Sequence, residues 1–373
     1  MFGPRGVGKS TYLEYWFKDK SVMTIDLLDP ILFQRYSLHP ELLMADWKVH
    51  SSEWIFIDEI QKVPSLLDVV QQQMRISKIN FALTGSSARK LRRGASNLLG
   101  GRAFEFHLHP FTSFELKSSE VGFDLSSVLS FGTLPHVINL ELKDKVRALY
   151  SYITTYLREE VLAEQVVRKM EPFQKFLEVA AQMNGKIINY AKISRDSGVE
   201  EKSVARYFQI LDDTLIGFHL YSYDKSIRKQ QSQKAKFYFF DLGVVRTLQN
   251  QISLPLQVKT SHYGDLFEQF VILEFIRLND YFEKHYKFFY FRSKDDVEVD
   301  LIIERPGLSD VLIEIKSKDY FDFDDAKGLI NIGQSFKNKE MYVISNCKNS
   351  SIVKGVRFIF WQDALEEFFI SNP

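Results

Sequence analysis

The chain has 373 residues, 45% of them hydrophobic and 26% charged, with 48 basic side chains against 48 acidic ones. These are the values of a globular chain of two or three domains with ample core, and they exclude a disordered one. Zero net charge gives no global field toward nucleic acid or membrane, the lone Cys347 excludes a disulfide framework and a multi-cysteine zinc site, and no apolar run approaches the roughly 18 residues that span a bilayer.

The first element is a phosphate-binding loop. Gly3-Pro4-Arg5-Gly6-Val7-Gly8-Lys9-Ser10 fits GxxxxGK[ST] at every required position. Glycines let successive N–H groups turn inward around phosphate oxygens, and the helix expected from Lys9 adds its positive end. Gly3, Gly6, Gly8, Lys9, Ser10 and Thr11 are therefore the expected ATP-binding residues. Lys9 reaches the β- and γ-phosphates, and the Ser10 hydroxyl ligates Mg²⁺. Such a loop normally follows a central strand, yet only Met1 and Phe2 precede Gly3. The expectation is in-frame coding sequence upstream with apolar residues before the loop, and weak nucleotide binding without it.

Val22 to Asp26 reads as a short buried strand. Glu53 to Glu59 is an apolar run ending in Asp-Glu, the Walker B pattern. Asp58 is expected to hold Mg²⁺ and Glu59 to polarise the attacking water, both at the carboxyl end of a strand. Ile79 to Leu83 is the next strand. After it, Ser86 reads either as a γ-phosphate sensor or as a helix N-cap. Arg102 precedes a strand expected at Ala103 to Leu108 and reads either as a phosphate sensor or arginine finger, or as a surface salt-bridge partner.

These segments together carry a resemblance. Gly-Pro-Arg-Gly-Val-Gly-Lys-Ser, Phe-Ile-Asp-Glu-Ile-Gln-Lys-Val-Pro, Leu-Thr-Gly-Ser-Ser and Leu-Gly-Gly-Arg, in that order, resemble the prokaryotic predicted AAA-superfamily ATPases that carry a conserved C-terminal domain of unknown function. The resemblance implies an ATP-binding protein with the roles above and does not imply a cellular task.

The middle of the chain reads as helical. A helix is expected from Lys143 to Met170, broken at Pro172, with a second from Phe173 to Met183. Ile188 to Asp196 and Glu200 to Asp213, parted by Ser197-Gly198-Val199, make a helix-turn-helix pattern. Strands at Leu215 to Tyr223 and Ala235 to Phe240 then read as a wing. Its tip holds Lys225, Arg228, Lys229, Lys234 and Lys236, while Lys202, Ser203 and Arg206 are exposed candidates on the second helix. Two readings stand: DNA phosphate contact, or a protein-interaction module with a solvated charge run. Glu200, Glu201, Asp212 and Asp213 around the same helix favour the second.

The C-terminal elements are a long helix from Gly264 to Asp280, then strands at Phe288 to Arg292, Val297 to Glu304, Val311 to Lys316, Met341 to Ser345 and Val356 to Trp361. They resemble a restriction-endonuclease-like fold, whose pattern of an acid on the first helix, Asp on one strand and Glu-x-Lys on the next is met by Glu268, Asp300, Glu314 and Lys316. A hairpin centred on Gly307 puts Asp300 opposite Glu314, and Val299, Leu301 and Ile303 on one face with Val311, Ile313 and Ile315. Glu268, Asp300 and Glu314 are then expected ligands of Mg²⁺ or Mn²⁺, with Lys316 orienting the attacking water. The alternative is an inactive relic in which Lys316 pairs with the acids.

The expected fold class is thus α/β and multi-domain, in a reducing, cytoplasmic setting. The segments are a P-loop AAA-type ATPase domain with a parallel sheet at 1–118, a helical linker or lid at 119–172, a winged-helix-like domain at 173–255 and a nuclease-like domain at 256–373. The expected function is an ATPase that couples turnover to nucleic-acid binding or cleavage, or a nucleotide-dependent switch whose C-terminal half binds a protein partner and cuts nothing.

Overall fold

The computed structural model describes residues 1–86, 103–157, 170–224, 234–293 and 295–371. The chain divides into two compact units, Met1–Pro110 with Gln209–Ile216, and Phe111–Phe208 with Gly217–Pro373.

The first unit is built on three parallel strands, β1 (Val22–Asp26), β2 (Trp54–Asp58) and β3 (Asn80–Leu83), in the order β1-β2-β3. Strand β2 is apolar on both faces because both are covered. Ile55 and Ile57 pack with Tyr36, Leu43, Leu66 and Val70 of three helices, while Phe56 packs with Leu13 and Phe17 of the helix Lys9–Phe17. Met1 and Phe2 take sheet positions beside β3. The Met1 nitrogen donates to Leu83 O at 2.7 Å, and Gly85 N donates to Met1 O at 3.2 Å. On the other side Phe2 N donates to Phe106 O and Leu108 N to Phe2 O, both at 2.7 Å. The strand expected over Ala103 to Leu108 is here a single bridge, Phe2↔His107.

The second unit centres on a mixed sheet. Its strands are β4 (Gly217–Ser222), β5 (Lys236–Phe239), β6 (Lys287–Arg292), β7 (Glu298–Glu304), β8 (Asp310–Lys316), β9 (Lys339–Ser345), β10 (Ser351–Val353) and β11 (Val356–Phe360). They lie in the order β10-β11-β9-β8-β7-β6-β4-β5. The helices Ser261–Tyr281 and Trp361–Phe369 cover one face through Phe270, Phe275, Trp361 and Phe368, and the helix Lys327–Gly333 covers the other through Leu329 and Ile332.

The β7–β8 hairpin has the expected register. Leu301 pairs with Ile313, Ile302 with Leu312 and Ile303 with Val311, and Gly307 turns the chain at φ 75°. One residue departs from the expected faces. Val299 packs with Ile302 and Leu312, opposite to Leu301 and Ile303. The cause is an irregularity against β6: Phe289 pairs with Ile302 and Phe291 with Val299, so Tyr290 alone stands opposite Asp300 and Leu301. Such a bulge inverts the face parity of everything before it.

The two short helices of the middle are present at Tyr190–Ser197 and Glu201–Asp213, with Gly198 at φ 68° between them. The expected wing is the β4–β5 hairpin, and it belongs to the large sheet, since β4 pairs in parallel with β6 at Tyr221↔Phe289 and Ser222↔Tyr290. The sheet therefore runs across the expected boundary at 255/256. The wing tip, 225–233, lies outside the described residues. Pro172 lies within the helix Met170–Gln182, ahead of the expected start at Phe173, and residues 158–169 before that helix lie outside the described ones. The helix before it is described as Leu142–Ser151 with a π turn at Tyr152–Leu157.

A polar clamp is buried in this unit. Glu274 is inaccessible, and its Oε2 accepts from the backbone N–H and the hydroxyl of Ser113. One turn on, Arg277 donates to the carbonyls of Phe111 and Phe240 and to Thr133 Oγ1, each at 3.0 Å. Burial raises the Glu274 pKa against the opposing pull of Arg277 and Ser113. For a carboxyl so raised, the stabilising protonated form is fully present below the unfolded pKa and is lost as pH rises through the folded one. Glu274→Gln retains an acceptor for Ser113 and cannot ionise. Its stability relative to wild type should therefore increase from about pH 5 to about pH 8, read as the difference in urea midpoints. A difference constant with pH would refute the assignment.

Candidate functional site

In the first unit the glycines bend the loop around a lysine. Gly6 has φ 82°, and Gly8 has φ 92° and is the N-cap of the helix Lys9–Phe17. Left-handed residues alternating with ordinary ones turn successive N–H groups toward one concavity. Lys9 is 5% exposed, and its ammonium donates to the carbonyls of Gly3 at 2.8 Å and Pro4 at 3.0 Å. Gly3 permits a close crossing: a Cβ there would lie 2.2 Å from the carbonyl oxygen of Leu108. Thr11 is exposed at the next helical position after Ser10.

The two residues expected to hold Mg²⁺ meet directly. Ser10 Oγ donates to Asp58 Oδ2 at 2.6 Å, and Thr84 Oγ1 donates to Asp58 Oδ1. Asp58 ends β2 and is buried, so its oxygens are fixed by hydroxyls of the loop helix and of the residue after β3. An anionic acceptor beside a hydroxyl is the donor set of a hard cation.

Glu59 follows with φ 57°, and its N–H donates to Thr84 Oγ1 at 3.1 Å. Its carboxylate accepts from Gln61 Nε2 and, at 3.1 Å, from the Ser86 hydroxyl. Gln61 Nε2 lies 3.0 Å from Ser86 Oγ, and Gln61 Oε1 is buried with no hydrogen-bond partner among the described residues. The structure thus brings Ser86 to Glu59. The Ser86 N-cap alternative concerns a segment outside the described residues, and so does the Arg102 expectation. Sequence reasoning missed Gln61 and Thr84. Both stand inside the quoted motifs, but only the fold shows that they fix the two Walker B acids.

In the second unit, Glu268, Asp300, Glu314 and Lys316 come together at the end of the β7–β8 hairpin. Asp300 Oδ2 accepts from Ile315 N at 2.7 Å, and Lys316 pairs with Glu314 at 2.5 Å. Burial, then Glu268 and Glu314, push the Asp300 carboxyl well above its usual range, and burial raises that of Glu314. Two further residues belong to the cluster. Lys236 of β5 contacts Glu298 at 2.5 Å and Glu268 at 3.3 Å, and the Tyr238 hydroxyl donates to the same Glu268 oxygen at 2.8 Å. The Lys236 expectation is therefore corrected: it is a buried ion-pair partner and not part of a basic wing tip. The expectation of a divalent-metal centre also meets a misfit, since the oxygens of Glu268, Asp300 and Glu314 do not all lie within 4.8 Å of one another.

The comparisons with known proteins divide the chain into three. Residues 1–117 match the family profile of an AAA domain. Residues 122–255 match a domain of unknown function, DUF8612, and residues 263–362 another, DUF4143. No curated protein matches the chain. Among solved structures, the replication initiator DnaA bound to AMPPCP and single-stranded DNA shares 14% identity, with 57% of this chain and 81% of that one covered at a TM-score of 0.29. The Aeropyrum pernix ORC1 protein in complex with DNA also shares 14% identity, with 68% and 85% covered at a TM-score of 0.27. At such scores neither overlay carries an argument, and the likeness to an AAA domain is that of the profile match over residues 1–117.

Gly3→Ala should cost about 1–3 kcal/mol, the range for overpacking against an atom that cannot rotate away. Hydrogen exchange should quicken at the amides of Phe2 and Leu108, whose hydrogen bonds the added methyl displaces. Wild-type exchange at both amides would refute the crossing.

Proposed function

We propose that the chain is an ATP-binding protein whose first domain hydrolyses ATP with Mg²⁺. The observation that carries this reading is the contact of Ser10 Oγ with Asp58 at 2.6 Å, made beside a glycine loop that encloses Lys9. The AAA profile match over 1–117 supports it. Mg²⁺, when bound, neutralises phosphate charge, and Ser10 and Asp58 would hold it. The N–H groups of the loop and Lys9 bind and orient the phosphates. Glu59 takes the role of water-activating base, Ser86 senses the terminal phosphate, and Gln61 holds the Glu59 carboxylate in position.

For the C-terminal half we favour a partner-binding switch over a nuclease. The lysines paired with the cluster's acids support this choice. DNA is the second candidate partner, carried by the helix-turn-helix pattern at Tyr190–Ser197 and Glu201–Asp213.

An ATPase assay on the purified protein, with and without DNA, tests the reading. Lys9→Ala should weaken ATP binding by about 2–3 kcal/mol, roughly 30- to 150-fold in Kd. Glu59→Gln should retain ATP affinity and lose roughly 10²–10⁴ in turnover, the usual worth of a positioned base. Equal turnover in Glu59→Gln removes that residue from the role.

Gln61→Ala separates positioning from binding. Freed of Gln61, the Glu59 carboxylate should drift, and turnover should fall by up to about 10²-fold with Kd for ATP unchanged. Loss of ATP binding in Gln61→Ala would show that it supports the fold and not the base.

A further inference from the structure

The acid cluster of the second unit poses a problem of charge. Glu268, Glu298, Asp300 and Glu314 gather at one end of the sheet, and Asp300 is 8% exposed. Carboxylates removed from water need a cation or a proton. A divalent ion is the usual answer where the spacing is Asp, then Glu-x-Lys. Here one oxygen of each of three of these acids is engaged by a donor of the protein itself. Glu268 Oε1 receives Lys236 and Tyr238, Asp300 Oδ2 receives the Ile315 N–H, and Glu314 Oε1 receives Lys316.

Lys236 is the residue that departs from a nuclease-like pattern. It comes from β5, an edge strand, and is only 3% exposed. Its ammonium lies 2.5 Å from Glu298 and 3.3 Å from Glu268, and 5.5 Å from the centre of the Tyr290 ring. Tyr290 is itself tied to this strand's entry, its hydroxyl donating to Lys234 O at 2.6 Å. Strand, helix and hairpin thus converge on one nitrogen.

We propose that Lys236 is the resident cation of this cluster: its ammonium takes the electrostatic place of a divalent ion, and the C-terminal site is metal-independent. An ammonium also has a different reach from an ion. It is fixed to β5 by its own stem, so it compensates charge and holds three elements together at once.

The test is Mn²⁺ binding by the purified full chain, followed by electron paramagnetic resonance in the absence of nucleotide, so that its outcome is independent of the ATPase reading. Wild type and Glu268→Gln should bind the same number of Mn²⁺ ions up to about 1 mM, the range of weak oxygen-ligand sites. Lys236→Met should gain one site that Lys236→Met/Glu268→Gln lacks. A wild-type Mn²⁺ site abolished by Glu268→Gln overturns the proposal, and so does a folded Lys236→Met that gains none. Should Lys236→Met not fold, the comparison of wild type with Glu268→Gln decides alone.

Discussion

A charge taken out of water must find its counterpart inside the protein, and this requirement organises both units. Two lysines illustrate the two solutions. Lys9 donates to two backbone carbonyls of its own loop. Lys236 lies among carboxylates, which balance its charge. Residue type is the same, and the difference lies in what the fold places around each nitrogen.

The same requirement explains why the second unit holds together across segments far apart in sequence. Glu274 and Arg277 sit one turn apart on the helix Ser261–Tyr281, among its buried apolar residues, and between them they take up Ser113, Phe111, Thr133 and Phe240. None of these contacts survives the loss of its partner cheaply, because each leaves a buried polar group without water. The clamp therefore ties the chain on either side of residues 111–133 to the sheet-covering helix with polar bonds of fixed direction, where apolar packing alone would allow sliding.

Much of the first unit was legible because its signals are local. The loop glycines, the acid pair ending β2 and the Ser86 position each depend on a few consecutive residues. The β7–β8 register was legible for a related reason: a hairpin around Gly307 has only one pairing that keeps Leu301 and Ile303 facing Val311 and Ile313. What escaped depends on distant partners. Val299 changed face because Tyr290, on another strand, stands opposite two residues. Lys236 read as part of a basic run because its carboxylates lie 32 and 62 positions further along the chain, as the numbering of Glu268 and Glu298 shows. Gln61 was in plain view, but its role needs the strand order that brings Ser86 beside it.

The extra residue in β7 has a consequence for how this segment can change over evolutionary time. In a regular strand Glu298 would share a face with Ile302 and Leu312, away from the helix that carries Glu268. The irregularity reverses that parity, which is how a single ammonium touches both acids. Loss of the extra residue would restore a regular ladder and leave Glu298 on the side it now occupies, whereas a strand of the same length paired without the irregularity would carry Glu298 to the opposite side of the sheet. The bulge here encodes as much as residue identity does. Descendants that retain the motif letters and the strand length but pair this stretch regularly would have a different charge arrangement, hidden from any comparison that counts only matching residues.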